Sequence, residues 1–403
     1  MCSPIASRLG LQAKILRKIS LAKELIWYNR PMDTRRVELS FSVRKPILAC
    51  GADLKGAFAL AKDRVVFLYE GFGDLSDLDN FERYEASVKR AIKTTGIKPA
   101  IIACDMHPGY FSTRFAESFL PTTNGQRPTT RAGSLFSVQH HEAHIASCMI
   151  DNDLKGSVIA VAFDGTGYGP DGNIWGGEFF VGGLKSFKRA AHLEYVSMPG
   201  ADAAVREPWR MAESYLYKAY GKSYLKNFKK RGLTPLFKMI DKGINSPLNS
   251  SAGRLFDAAA SLVLGRRKAG FEAELPIALE KIAAANCEDR YSGVTKPEDS
   301  PRIIKCIAAD IRKGTDNKII SARFHNTVAG MINRTVGLLG KRYNIDRVVL
   351  SGGVFQNKYL TDKVIKYMKK SGFKVYGHKN LSTTDSSLPV GQIAIAQARR
   401  ICA

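Results

Sequence analysis

Two apolar strands that run straight into glycine loops, far apart in the chain, most constrain what this sequence can fold into. Ser157–Phe163 leads into Asp164-Gly165-Thr166-Gly167-Tyr168-Gly169, and Arg347–Leu350 leads into Ser351-Gly352-Gly353, followed by a helix near Gln356–Lys370. At such junctions backbone N–H groups and a helix N-terminus receive phosphate oxygens, with Thr166 adding a hydroxyl donor. Asp164, at the end of its strand, can orient a cation or a phosphate-bound water. Taken singly, each loop is also an ordinary glycine turn, the first in a hairpin and the second between strand and helix. The pair together points to an α/β chain with a divided phosphate or nucleotide site.

The rest of the pattern extends this reading. Ile47–Ala52, Ala57–Ala61 and Val65–Tyr69 read as three short strands, with a turn at Lys62-Asp63. Helix and strand then alternate through Leu78–Thr94, Ala100–Cys104, Tyr110–Phe119, Leu135–Val138 and Glu142–Ile150. A hairpin-like region through Trp175–Val181 and Leu193–Val196 opens the second half. Apolar residues then recur at three and four through residues 204–342, a helical period. The expectation is two α/β lobes of related topology, over 46–153 and 154–403, the second with a helical insertion at about 204–342. Residues 1–45 read as a basic, proline-punctuated extension or linker.

The chain has 403 residues, ample for two cores, and no run of apolar residues long enough for a membrane helix. Its 61 Lys+Arg against 37 Asp+Glu leave a net charge of +24, a field that attracts polyanions. No basic cluster carries the aromatic interleaving of a single-strand-binding groove, so charge alone does not assign nucleic acid, though it leaves it open. The seven cysteines are widely spaced without a CxxC pair, which argues against a disulfide framework or zinc module and for a reducing cytoplasm.

His140-His141-Glu142-Ala143-His144 is the densest chemical constellation, with three of the seven histidines. On a helix, His140 and His144 share one face, the spacing that lets two imidazoles hold a metal, while His141 points elsewhere. A stray histidine pair on a helix is the competing reading. Two histidines with a carboxylate suit Fe(II), Zn or a similar divalent ion. Asp385, in Thr384-Asp385-Ser386-Ser387, is either a ligand brought to the site or a helix N-cap.

The paired loops resemble the actin-like ATPases, the superfamily of sugar kinases and heat-shock chaperones. The run Val138-Gln139-His140-His141-Glu142-Ala143-His144-Ile145-Ala146-Ser147 further resembles the transferase domain of the HypF family of hydrogenase maturation carbamoyltransferases. So do Phe163–Glu178, Asp202–Ala212, Gly253–Ala258, Ser321–Ala329 and Leu350–Asn357, in the same order, with the match starting near Ile47. The resemblance implies a two-lobed actin-like α/β fold. It also implies a divalent metal (Fe, Zn or Mg) on His140, His144 and Asp385. Nucleotide (ATP, AMP or carbamoyl adenylate) would lie on Asp164, Gly165, Thr166, Gly167, Ser351, Gly352, Gly353 and Asn357. His141, Glu178, Asp202, Arg206, Glu207, Arg254, Asp257, Glu272, Arg323, His325 and Asn326 would line or support the substrate.

In that family a carbamoyl group passes from carbamoyl adenylate to the C-terminal cysteine of a HypE-like acceptor. The implied chemistry needs no protein nucleophile, because the acceptor brings its own sulfur. The implied role is transfer only, with a separate YrdC-like protein forming the adenylate, since the leading segment is too short for the family's acylphosphatase, zinc-finger and YrdC-like domains. Two motifs depart from the family. Thr383–Ser387 replaces Asn-Asp-Gly-Gly, and Phe271–Glu274 replaces Tyr-Glu-Gly-Gln, both losing glycines near a ligand. The alternatives are a transferase of the tRNA threonylcarbamoyladenosine type, favoured by the charge, and a non-catalytic nucleotide-binding protein, favoured by the lost glycines.

Overall fold

The computed structural model describes residues 33–119, 135–221, 223–224 and 233–400. They divide into two units, the first comprising described residues up to Val138 together with Asp385–Gln397. In it, β1 (Thr34–Ala49) and β2 (Phe58–Tyr69) pair antiparallel, and β3 (Ile101–Asp105) and β4 (Leu135–Val138) add in parallel, in the order β2-β1-β3-β4. The expected turn at Lys62-Asp63 is instead a bulge. Asp63 takes a left-handed φ of 53° opposite Val43 and the strand continues through it. Residues 34–45, expected as linker, are likewise strand. Pro46 falls in the pairing gap between Val43 and Ile47, where its missing N–H breaks no rung. Residues 1–32, with the basic leading segment, lie outside the described residues.

Helix Leu78–Thr95 starts at Asp77, whose carboxylate accepts from Asn80 N, and stops at left-handed Gly96. It buries Tyr84, Ser87, Val88 and Ala91, one stripe at three- and four-residue spacing. The Tyr84 ring meets Phe58, Phe72 and Phe115 edge-on at 5.5–5.6 Å. In the last helix (Leu388–Arg400), Gln392 clamps Gly51, accepting from its N at 2.9 Å and donating to its O at 3.0 Å.

The second unit carries β5 (Val158–Tyr168), β6 (Ile174–Gly183), β7 (Ser186–His192), β8 (Val196–Ser197), β9 (Leu248–Asn249), β10 (Arg347–Ser351) and β11 (Lys374–Tyr376). Their order is β11-β10-β5-β6-β9-β8, with β7 paired to β6. β5, β10 and β11 run parallel, and β5 is buried without a break from Val158 to Asp164, as a covered parallel strand requires. Helix His140–Asp151 belongs to this unit. The division therefore falls after Val138 and not near residue 153, because this helix packs on β5 and β10.

Between Asp202 and Tyr343 the described elements of the second unit are helices, apart from β9. Trp209–Tyr220, Ala252–Leu264, Ser300–Arg312 and Asn317–Tyr343 pack on one another in the stretch expected as an insertion. Among the described residues no helix is long and apolar enough to cross a membrane.

Candidate active site

Helix His140–Asp151 begins directly after β4, with Gln139 as its cap, the side-chain oxygen accepting from Glu142 N at 3.0 Å. The helical period puts His140 and His144 one above the other, both fully buried. Nε2 of each lies 3.3 Å from the same atom, Asp164 Oδ2. The other carboxylate oxygen, Oδ1, accepts from Gly353 N at 2.9 Å. The two glycine loops therefore meet on one aspartate, which faces both histidines as well. Burial alone would raise Asp164; hydrogen bonds from the two imidazoles outweigh it and hold the carboxyl well below its usual range. Burial, and then the neighbouring His140, drives His141 well below an ordinary histidine, so it is neutral.

The sequence placed Asp164 among the phosphate-binding residues; its carboxylate in fact completes a buried His-His-Asp trio. Strand β5 also runs past Phe163 as far as Tyr168. Its pairing with β6 breaks between Phe163 and Gly167, so Asp164-Gly165-Thr166 is a bulge inside a hairpin. The tip lies further on, where Gly169 N donates to Asn173 O. The bulge leaves Gly165 and Thr166 half-buried. Gly167 must be glycine, because a Cβ there would collide with the His141 ring and sit 3.0 Å from that of His140. Gly352 must be glycine too, with φ at 102° and a Cβ directed into Phe163 O.

His378, which the sequence reading passed over, supports this arrangement. Ser351 Oγ donates to His144 O at 2.9 Å and lies 2.8 Å from His378 Nε2. A hydroxyl has one proton, so His378 Nε2 is the donor and its tautomer is fixed. His378 stands in no recognisable motif, and only the return of β11 beside β10 delivers it here.

The remaining candidates separate into two sets. Arg254 is buried beside the bulge. Its Nη2 is 3.1 Å from Asp257 Oδ2, while its Nε and Nη1 have no hydrogen-bond partner among the described residues. Ser251, the cap of that helix, donates to Gly165 O, and the Glu272 carboxylate also faces Gly165. Asp257 is pushed up to about 6, by burial first, with Arg254 opposing and Glu272 adding.

Most of the others have partners of their own. Glu178 accepts from Gly176 N, Gly177 N, Ser250 and Arg189. Arg323 pairs with Asp289 and Asp310, and Asn326 Nδ2 donates to Cys287 O and Asp289 O. Glu207 pairs with Arg210, while Arg206 O accepts from Ala269 N. Asp202 opens a five-residue helix. Asn357, expected on nucleotide, caps helix Lys358–Lys370 through Oδ1 and donates to His325 Nε2 through Nδ2. Asp385 is buried at the head of the turn Asp385–Ser387, in the first unit.

Two family models match the chain: the HypF Kae1-like domain over residues 42–151, and the second subdomain of the carbamoyltransferase Kae1-like domain over residues 160–392. The chain belongs to the HypF family. The carbamoyltransferase HypF of Synechocystis sp. is 30% identical over 395 residues, covering 91% of this chain and 49% of that protein. A HypF homolog of Cupriavidus necator is 31% identical over 372 residues, covering 87% of this chain and 91% of that one. A crystal structure of full-length HypF in a phosphate- and nucleotide-bound form superposes with a TM-score of 0.82 at 37% identity, over 90% of this chain and 47% of that one. The HypF of T. kodakarensis gives 0.77 at 27% identity, over 91% and 49%. The chain thus spans about half the length of most of these relatives, and its α/β fold is that of the HypF structures it matches.

The buried histidines set a pH dependence. Burial lowers His325 to about 4 from 6.5, with Nδ1 donating to Ser321 O at 2.8 Å. Between those values the unfolded chain binds a proton that the native chain refuses, so stability rises with pH through that window and is lost on acidification. The loss from His325 is about 3 kcal/mol across the window. Urea midpoints at neutral and mildly acidic pH should differ in the wild type, and by less in His325→Gln.

Proposed function

We propose that this chain transfers a carbamoyl group from carbamoyl adenylate to the thiol of a HypE-like acceptor, in making the cyanide ligand of nickel–iron hydrogenase. One observation supports it most: a buried His140–His144–Asp164 trio whose carboxylate also receives Gly353 N from the second glycine loop. Family membership supports reading that trio as part of the transfer site. In the reaction the acceptor sulfur forms a C–S bond to the carbamoyl carbon, and the carbon–oxygen bond to the phosphate breaks. AMP leaves with the electron pair, and the thiol proton passes to solvent.

His140, His144 and Asp164 fit a divalent metal, because three buried donor atoms lie within 4.8 Å of one another and a cation can replace the two N–H protons that now face the carboxylate. Asp385 is retained in this proposal as a further ligand. Bound there, a metal would act as a Lewis acid toward the carbonyl or anchor the phosphate. Thr166 and the Gly353 loop hold the AMP phosphate, and the Arg254 guanidinium neutralises the charge that grows on it. The buried helix of the trio excludes water, which would otherwise hydrolyse the anhydride.

Both family models that match these residues describe Kae1-like subdomains, so residues 1–403 by themselves should release no pyrophosphate from ATP and carbamoyl phosphate. Given carbamoyl adenylate and the acceptor, it should yield a carbamoyl adduct on the acceptor's terminal cysteine, read by mass spectrometry. Nucleotide binding without any adduct would favour the non-catalytic reading.

A further inference from the structure

Helices Trp209–Tyr220 and Ser300–Arg312 pack side by side, and small residues at Ala219 and Ala309 leave a cavity of about 600 Å³ between them. Tyr220, Arg302, Lys305, Cys306 and Arg312 complete its lining. Positions 302, 305, 306, 309 and 312 form one face of the second helix, while Ile303, Ile304 and Ile307 bury the opposite one. None of these residues belongs to the trio or the glycine loops.

Three cations face this cavity and no carboxylate does. Among the described residues none forms an ion pair with Arg302, Lys305 or Arg312. Asp310, on the same helix, accepts from Arg323 Nη1 at 3.0 Å, while Glu194 pairs with Lys218 and Glu213 accepts from the Tyr224 hydroxyl. Tyr220 gathers two of the cations. Lys305 Nζ lies 4.6 Å from its ring centroid, and Arg312 Nη2 donates to its hydroxyl at 3.4 Å. Tyr220 is itself stacked on Tyr224, with ring planes 10° apart. Clustered like charges oppose folding unless an anion relieves them.

We propose that this cavity is a second ligand site, for a small molecule bearing a chain of phosphates. Its volume falls in the range of small-molecule sites, which fits a compact ligand better than a protein surface. Two guanidinium groups offer paired N–H donors to phosphate oxygens, and the lysine adds a point charge. The Cys306 thiol is half-buried in the lining and raised by that burial, so its slow alkylation can report on occupancy of the cavity without any catalytic role.

Alkylation of Cys306 by N-ethylmaleimide, followed on its peptide by mass spectrometry, tests the site in the full 403-residue chain. Tripolyphosphate several times above its Kd should slow the reaction about fivefold, and high salt should abolish the effect. The exposed substitutions Arg302→Glu and Lys305→Glu together should remove protection while leaving carbamoyl transfer unchanged. Equal protection by ATP and tripolyphosphate means that the phosphate chain is the ligand; protection by ATP alone means a nucleotide. Unchanged alkylation with either anion overturns the proposal, as does protection that survives the double charge reversal. Protection by polyglutamate alone also overturns it, in favour of an acidic polypeptide.

Discussion

Replacing His144 with alanine should strip the metal from a reconstituted chain while leaving both units folded. His144 Nε2 and His140 Nε2 converge on Asp164 Oδ2, so removing one imidazole leaves only His140 and Asp164, with the proposed Asp385, to hold a cation. Losing one ligand of three or four typically costs far more than the roughly 10–100-fold that a supporting residue costs. Elemental analysis after dialysis should therefore find wild-type occupancy near one and His144→Ala occupancy near zero. Asp164→Asn should match it, since a neutral amide both loses charge and presents N–H where an acceptor is needed. His141→Ala is the informative control. Its ring packs against Gly167 and its Nδ1 faces the Gln139 amide, so it should cost stability through a cavity yet retain metal. Equal metal in wild type and His144→Ala would assign the trio to packing. Transfer should fall with the metal, and a melting scan separates that loss from unfolding.

Much of this site could be read before the structure, and what could not shares one cause. The i,i+4 spacing of His140 and His144 is local, so helical geometry alone brought them together. Asp164 was recognised as chemically placed, but its partner was not, because its meeting with His140 depends on how β5 packs under another helix. The bulge at Asp164–Thr166 was read as a loop after a finished strand. Whether a strand continues past glycines is decided by its partner, here Trp175 and Ile174 of β6 resuming the ladder at Gly167 and Tyr168. Asp63 misled in the same way, since Lys-Asp within an apolar run looks like a turn and only Val43 across the ladder makes it a bulge. Asn357 shows the converse. Its position after Gly-Gly invites a ligand, but a residue just before a helix is also the cap, and Leu360 N claims its oxygen. His378 carried no signal beyond being a histidine.

Arg254→Met should cripple transfer without destabilising the protein, and the reason lies in how incompletely that arginine is satisfied. It is 4% exposed, its Nη2 meets Asp257 Oδ2 at 3.1 Å, and Nε and Nη1 have no hydrogen-bond partner among the described residues. A buried guanidinium in that condition is a net cost to the fold, because desolvation is returned by only one ion pair. Apolar replacement of similar length removes the cost. Without the cation that lowers it, the Asp257 carboxyl, already raised to about 6, rises further and takes up a proton, which relieves the charge left buried. Stability should hold or rise. Chemistry should not. The guanidinium lies against the Asp164–Gly167 bulge through Nη2, its helix tied to Gly165 O by Ser251, and in the proposed transfer it faces the oxygen on which charge grows. Removing one such donor typically costs about 10²–10³-fold in rate. Adduct formation under steady-state conditions should therefore drop by about that factor in Arg254→Met, and only partly recover in Arg254→Lys, which restores charge without the paired N–H donors. A melting temperature that falls sharply in Arg254→Met, with transfer per folded molecule unchanged, would make Arg254 a structural residue and return the anion site to the backbone of the two loops alone.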